Sequence, residues 1–171
     1  MDKEYRPRVL IAGRPNVGKS TLFNRLFGRR RAITDPTPGV TRDVIEEKCV
    51  IAGIPAVLID TGGVKAHYDD VFDDLVSRRS LDSLSNADVI LFLLEIGEYT
   101  PEDARLTETL RRYAEKVVLV VNKSDTPEKD YMAAEFHSLG LGEPLPVSSA
   151  HGRNMNLLLN VLQKRMELAL A

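Results

Sequence analysis

Residues 13–26 read GRPNVGKSTLFNRL and follow directly on the apolar run VLIA (9–12). A short branched-aliphatic run that ends in glycine and hands over at Gly-Lys-Ser to a helical apolar pattern predicts a strand–loop–helix unit. The spacing Gly13-x-x-x-x-Gly18-Lys19-Ser20 is that of a phosphate-binding loop. In such a loop the backbone N–H groups curl around a β-phosphate, and glycine lets the backbone approach it closely. The helix N-terminus adds its partial positive charge. Lys19 is then expected to reach the β- and γ-phosphates, and the Ser20 hydroxyl to serve as a ligand for Mg2+. A merely glycine-tolerant turn would leave the position of Lys19 unexplained.

Outward from this unit, short apolar runs alternate with helical patterns. RVLIAG (8–13), DVILFLL (88–94) and KVVLVVN (116–122) are apolar throughout, as strands are when both faces of a sheet are covered. The stretch EEKCVIAGIPAVLIDTGG (46–63) predicts two strands joined by a tight turn at AGIP, hence one hairpin in an otherwise parallel sheet. EPLPVSS (143–149) is a weaker last strand. Helices are expected over KSTLFNRLF (19–27), 68–84, 100–114, 126–139 and 154–171. Thr100 and Thr126 each precede a proline, an N-cap followed by Pro at the first helical position. The expected architecture is a three-layer α/β domain with a mostly parallel six-stranded sheet and one antiparallel edge strand, its ligand at the carboxyl ends of the strands.

Composition agrees with one ordinary domain. The 171 residues are 43% hydrophobic and 28% charged, enough to build a core and too apolar for a disordered chain. No apolar run approaches the roughly 20 residues of a membrane span. The polar start MDKEYRPR leads straight into a strand, so no signal peptide is expected, and with Cys49 as the single cysteine a cytoplasmic location is expected. Cys49 is read as a strand-packing residue rather than a nucleophile. Residues 1–50 carry 11 Lys/Arg against 6 Asp/Glu, whereas residues 51–171 carry 12 against 19. A basic N-terminal third suits a polyanionic ligand. The run Arg29–Arg30–Arg31 is read as a solvated patch favourable to a helix C-terminus, with partner binding the alternative.

The base is read from VVNKSD (120–125), which closes an apolar strand. An aspartate at position 125 can accept hydrogen bonds from guanine N1–H and the 2-amino group. Adenine would leave it unpaired, and sites built for such bonds discriminate strongly. Asn122 can bond the base edge and tie strands together, and Lys123 can lay its alkyl stem over the ring. In VLIDTGG (57–63), Asp60 is placed to hold the Mg2+ shell and Gly63 to offer its N–H to the γ-phosphate. In PTPGVTRD (36–43), Thr41 is the hydroxyl expected to close on Mg2+ and γ-phosphate. Both segments are expected to order around triphosphate and loosen after hydrolysis.

Together, GRPNVGKSTLFNRL, TPGVTRD, LIDTGG, NKSD and SLGLGEPLPVSSAHGRNMNLLL resemble one GTPase domain of the EngA (Der) family, bacterial double GTPases of ribosome biogenesis. The similarity runs from about residue 8 to 165, and the first of that family's two GTPase domains is the nearer match. The resemblance implies a Ras-like P-loop GTPase fold, GTP hydrolysis with Mg2+, and association with the large ribosomal subunit or its RNA. It also implies a second GTPase domain and a KH-like domain, so residues 1–171 are expected to be one monomeric domain of a longer protein with no membrane partner. The nucleotide contacts carried over are Gly13, Arg14, Pro15, Asn16, Val17, Gly18, Lys19, Ser20 and Thr21 in the loop, with Asp60, Thr61, Gly62 and Gly63. To these are added Asn122, Lys123 and Asp125, and Ser148 with Ser149. Lys19, Thr41, Gly63 and Asn16 are the residues expected to act in hydrolysis.

Three departures stand out. The fifth motif reads Ser148–Ser149 where the family usually has Ser-Ala; its task is to point a backbone N–H at guanine O6. Glu95 stands where an aspartate is expected after the fourth strand. Position 64, where Ras-type enzymes carry a water-orienting glutamine, is Val64. Arg42 is read as a structural partner of Asp43, with catalysis in cis the alternative. The family's solution is a potassium ion near the phosphates, and Asn16 matches its asparagine ligand. Intrinsic turnover is therefore expected to be slow. A nucleotide-dependent regulatory module with negligible turnover is the competing reading, and an ATP-dependent kinase-like enzyme is disfavoured by Asp125.

Overall fold

The computed structural model describes residues 4–28, 45–61 and 82–171. Strands β1 (Arg8–Ala12), β2 (Ile45–Ile51), β3 (Ile54–Asp60), β4 (Val89–Glu95), β5 (Val117–Asn122) and β6 (Leu145–Pro146) form one sheet in the order β2-β3-β1-β4-β5-β6. The pairing of β2 with β3 is antiparallel and every other pairing is parallel. Helices α1 (Lys19–Phe27), α2 (Pro101–Leu110) and α3 (Met155–Leu170), with two 3-10 runs at Arg111–Lys116 and Pro127–Leu139, cover the sheet.

The continuous apolar strands are explained by burial on both faces. Val89, Leu91 and Leu93 of β4 join Phe23 of α1 and Leu158, Leu162 and Met166 of α3 in one core layer. Their neighbours Ile90, Phe92 and Leu94 join Leu110 and Phe136 in the other. Alternate side chains of one strand thus feed opposite layers, as period-two geometry requires. Cys49 packs against the first layer, and burial pushes its thiol pKa up, which suits packing rather than nucleophilic chemistry.

The AGIP turn is a two-residue hairpin loop, Ala52-Gly53, with φ of 51° and 80°. Positive φ at both central positions is what a hairpin between right-twisted strands needs. Thr100 caps α2 as expected: its hydroxyl accepts from Asp103 N–H, and the Asp103 carboxylate accepts in return from Thr100 N–H.

Three elements differ from expectation, the first being the helix expected over 100–114, which is α-helical to Leu110 and 3-10 over Arg111–Lys116. Residues 127–139 form 3-10 turns rather than an α-helix, and Thr126 makes no side-chain cap. The buried Ala133 and Phe136 and half-buried Leu139 recur every third residue, the spacing that aligns on one face of a 3-10 helix. The last strand shrinks to Leu145–Pro146 at the edge of the sheet, where a residue without an N–H is tolerated. The helix expected over 68–84 is described only at its end, where residues 82–86 are helical. Its remainder, Arg29–Arg31, Thr41, Arg42, Asp43, Gly62, Gly63 and Val64 lie outside the described residues.

Candidate functional site

Four strands deliver their carboxyl ends to one edge of the sheet: Ala12 leads into the glycine loop, Asp60 ends β3, Glu95 ends β4 and Asn122 ends β5. Ile11 pairs with Asp60, and Glu95 pairs with Asn122, so the register brings these ends level. This is the position at which an open α/β sheet binds its ligand.

The loop from Gly13 to Gly18 is shaped by its backbone. Asn16 sits at φ 68° and Gly18 at φ 106°, and a Cβ on Gly18 would collide with Asn122 Nδ2. Glycine is therefore required at 18 both by conformation and by space. Gly18 is also the N-cap of α1, and no side chain caps that end; the first turn carries no acidic residue. An uncapped helix N-terminus without acids offers its N–H groups to an anion.

Lys19 is buried, and its ammonium donates to Gly13 O at 2.7 Å and Arg14 O at 2.8 Å. Burial, opposed by the charge of Asp60, lowers its pKa to about 8. A cation held by neutral carbonyls in a desolvated loop is poised to take an anionic partner. Ser20 follows on the same turn, half-buried, while Thr21 and Asn16 are exposed. Asp60 is buried. The Thr61 hydroxyl donates to Ile11 O at 3.0 Å and so ties the end of β3 to β1.

The base-reading residues interlock with the loop. Asn122 is buried, donates through Nδ2 to Val17 O at 2.9 Å, and accepts at Oδ1 from Ser149 N–H at 2.9 Å. Each end of the amide keeps a second hydrogen or lone pair. Lys123, at φ 70°, donates to Asn16 O at 3.0 Å and pairs with Glu95 at 2.7 Å. The Ser148 hydroxyl donates to Asp125 Oδ1 at 2.7 Å, and His151 Nε2 lies 4.0 Å from the same oxygen. The expected serine pair is thus beside the aspartate, but the Ser149 N–H is engaged by Asn122.

Several site residues were not anticipated from sequence. Arg25 of α1 donates to Ser149 O at 2.7 Å and Ala150 O at 2.9 Å, holding the fifth-motif loop against the helix. Arg153 and Asn154 brace the same loop through Asp130. Arg14, expected from sequence as a nucleotide contact, meets Asp103 at 3.2 Å and Glu95 at 3.3 Å, and these acidic partners were the part not foreseen.

Hard oxygen donors, the Ser20 hydroxyl and the Asp60 carboxylate, fit Mg2+, which keeps waters and shares phosphate oxygens rather than needing an all-protein cage. The described residues contain no cluster of three or more His, Cys, Asp or Glu able to hold a metal by themselves.

A parallel sheet whose strand ends present an uncapped glycine loop with a buried lysine beside an interlocked Asn-Lys-x-Asp segment defines the P-loop GTPase class. The chain belongs to the family described as 50S ribosome-binding GTPases, whose model matches residues 8–123. It is 47% identical over 156 residues to the GTPase Der of Borreliella burgdorferi, covering 91% of this chain and 36% of that protein. The chain therefore spans about a third of the length of the curated relatives it matches. Among solved structures, a variant of Era from Aquifex aeolicus bound to GDP and tetrafluoroaluminate has a TM-score of 0.78 at 30% identity, covering 93% of this chain and 56% of that one. Era in complex with MgGDPNP and a segment of 16S ribosomal RNA has a TM-score of 0.75 at 30% identity, covering 94% and 56%.

Proposed function

We propose that this domain binds GTP and GDP with Mg2+ and hydrolyses GTP slowly, as the nucleotide-controlled part of a longer cytoplasmic protein that acts in assembly of the large ribosomal subunit. The observation that carries this reading is the Asn122 side chain, which joins the phosphate loop at Val17 to the base side at Ser149. One cleft then holds Lys19 for phosphates and Asp125, steadied by Ser148, for guanine N1–H and the 2-amino group. Family membership supports the reaction class. The family's description and the ribosomal RNA held by the neighbouring Era support a ribosomal partner.

In this reading each residue has a distinct task. Lys19 leaves the Gly13 and Arg14 carbonyls for the β- and γ-phosphates. Ser20 and Asp60 would hold Mg2+, which would supply positive charge to the phosphate oxygens. Thr41 and Gly63 complete the γ-phosphate contacts. Exposed Asn16 would help hold a potassium ion through its carboxamide, and that ion would supply the positive charge an arginine finger otherwise brings. The isolated domain is monomeric, and no helix among the described residues is long and apolar enough to cross a membrane.

Phosphate release from GTP and ATP, measured in KCl and in NaCl at one ionic strength, tests the reading. GTP alone should be hydrolysed, faster in KCl. Asn16→Ala should lose that acceleration, worth about a hundredfold for an electrostatic stabiliser of this kind, while keeping GDP binding. Equal hydrolysis of ATP would overturn the assignment of the base, and equal rates in the two salts the role of potassium.

A further inference from the structure

Arg14 occupies one of the four unspecified positions of the Gly-x-x-x-x-Gly-Lys-Ser pattern, yet its side chain is only 11% exposed and faces Glu95, Glu98 and Asp103. Its Nε donates to Asp103 Oδ2, the carboxylate that also closes the α2 cap, and an Nη donates to Glu95 Oε1. Glu98 lies 3.8 Å away. Lys123 places its ammonium 2.7 Å from the same Glu95 oxygen that Arg14 reaches. Its other acceptor, Asn16 O, belongs to the phosphate loop. One carboxylate oxygen at the end of β4 is thus shared by a cation of the phosphate loop and the cation expected to cover the base.

We propose that Glu95 is a positioning residue: by holding Arg14 and Lys123 on one oxygen it couples the phosphate loop to the base pocket, so that the two halves of the nucleotide site are ordered as a unit. The inference rests on the guanine-nucleotide reading above. The surroundings keep Glu95 charged for this task. Burial opposes its ionisation, but hydrogen bonds from Glu98 and Lys123 and the charges of Lys123 and Arg14 outweigh it and hold its carboxyl below the ordinary range. Glu98, facing that charge, is shifted the other way. The Glu95–Asn122 register adds rigidity, because Lys123 follows the strand residue paired with Glu95. Without the carboxylate, Lys123 retains a single neutral acceptor, and its stem is free to leave the base while Arg14 turns wholly to Asp103.

A double-mutant cycle for GDP affinity, read by titration calorimetry on the 171-residue chain, tests the coupling. Arg14→Met and Lys123→Met should each weaken GDP, and together should cost less than the product of their separate effects, by about fivefold. In a Glu95→Gln background the same two changes should become independent. Glu95→Gln alone should weaken GDP by about tenfold, the loss typical of a charge-assisted contact, and Glu95→Asp, which keeps the charge, should recover most of it. Should Arg14→Met not fold, Arg14→Lys leaves Asp103 a cation but lacks the two-sided fork, and serves in its place. A purely structural Glu95 would lower the melting temperature while the losses multiply in both backgrounds; that result, or full GDP affinity in Glu95→Gln, overturns the proposal. Failure of the unsubstituted chain to bind GDP would overturn the guanine reading and this inference with it, whereas binding with independent losses overturns this inference alone.

Discussion

Raising the pH through 8 should weaken nucleotide binding, and Lys19 sets the size of the effect. Lys19 is 8% exposed, and its ammonium donates to the carbonyls of Gly13 and Arg14. Burial and the nearby Arg14 charge lower its pKa to about 8, against the pull of Asp60 and Glu102. A phosphate beside the ammonium supplies counter-charge, and the pKa of the bound state returns to the ordinary lysine range, about 10.4. The bound state therefore keeps a proton that the empty state loses above 8, so binding takes up a proton and affinity falls as pH rises. The linkage gives about half a proton taken up per GDP at pH 8, and about a fourfold weaker Kd at pH 8.5 than at pH 7. Stopping at 8.5 leaves the guanine N1–H in place. Folding without nucleotide shows the opposite slope: between about 8 and 10.4 the unfolded chain binds more protons, so stability from this group rises with pH across that window. Calorimetric titration with GDP in buffers of differing ionisation enthalpy measures the uptake directly, and Lys19→Met should abolish it. A flat affinity with no proton uptake at pH 8 would show that the empty loop already holds Lys19 fully charged, and would refute the desolvation reasoning.

Asp125→Asn should cost GTP about 3 kcal/mol, roughly a hundredfold, by removing charge-assisted bonds to guanine, and should favour xanthosine triphosphate, whose 2-oxo group accepts from the new amide. A competition titration showing unchanged GTP affinity would take Asp125 out of the base pocket. Asn122→Ala leaves Val17 O and Ser149 N–H without their partner, and should lower unfolding free energy by about 2–4 kcal/mol; a denaturant midpoint that barely moves would mean that water replaces both bonds. Ala52→Asn puts a residue tolerant of left-handed backbone where φ is 51°, and should raise stability by about 0.5–1 kcal/mol. A lower urea midpoint would show that the packing of Ala52 against the core outweighs the turn preference.

How much of this was legible in the sequence depends on the range over which each feature is determined. β1, β4 and β5 announced themselves because both their faces are buried, which leaves an unbroken apolar run such as VILFLL. The conformation of Gly18 and the burial of Lys19 against the loop were legible for a different reason: a phosphate loop demands one residue type at one spacing, whatever surrounds it. The 3-10 geometry of 127–139 was not, since its Thr-Pro opening and composition serve an α-helix equally well, and only packing selects the three-residue period of Ala133, Phe136 and Leu139. The engagement of Ser149 N–H by Asn122 was likewise hidden, being a contact between residues 27 positions apart.

The acids around Arg14 are the clearest case of this division. Glu95 and Asp103 stand 81 and 89 positions beyond it, and no local pattern relates them. The sheet order does, because β4 lies between β1 and β5 and its end must fall between the phosphate loop and the base motif. A cation on each side then makes an acid at that end the one group that can serve both. Glu95 looked like a substitution for the family's aspartate when read along the chain; read across the sheet, it is the residue at which two sequence motifs become one site. Its extra methylene relative to aspartate lets a carboxylate anchored on β4 meet Arg14 and Lys123 together. Glu95→Asp therefore also measures how far reach, as distinct from charge, governs the coupling: recovery short of the full GDP affinity would be the share owed to that methylene.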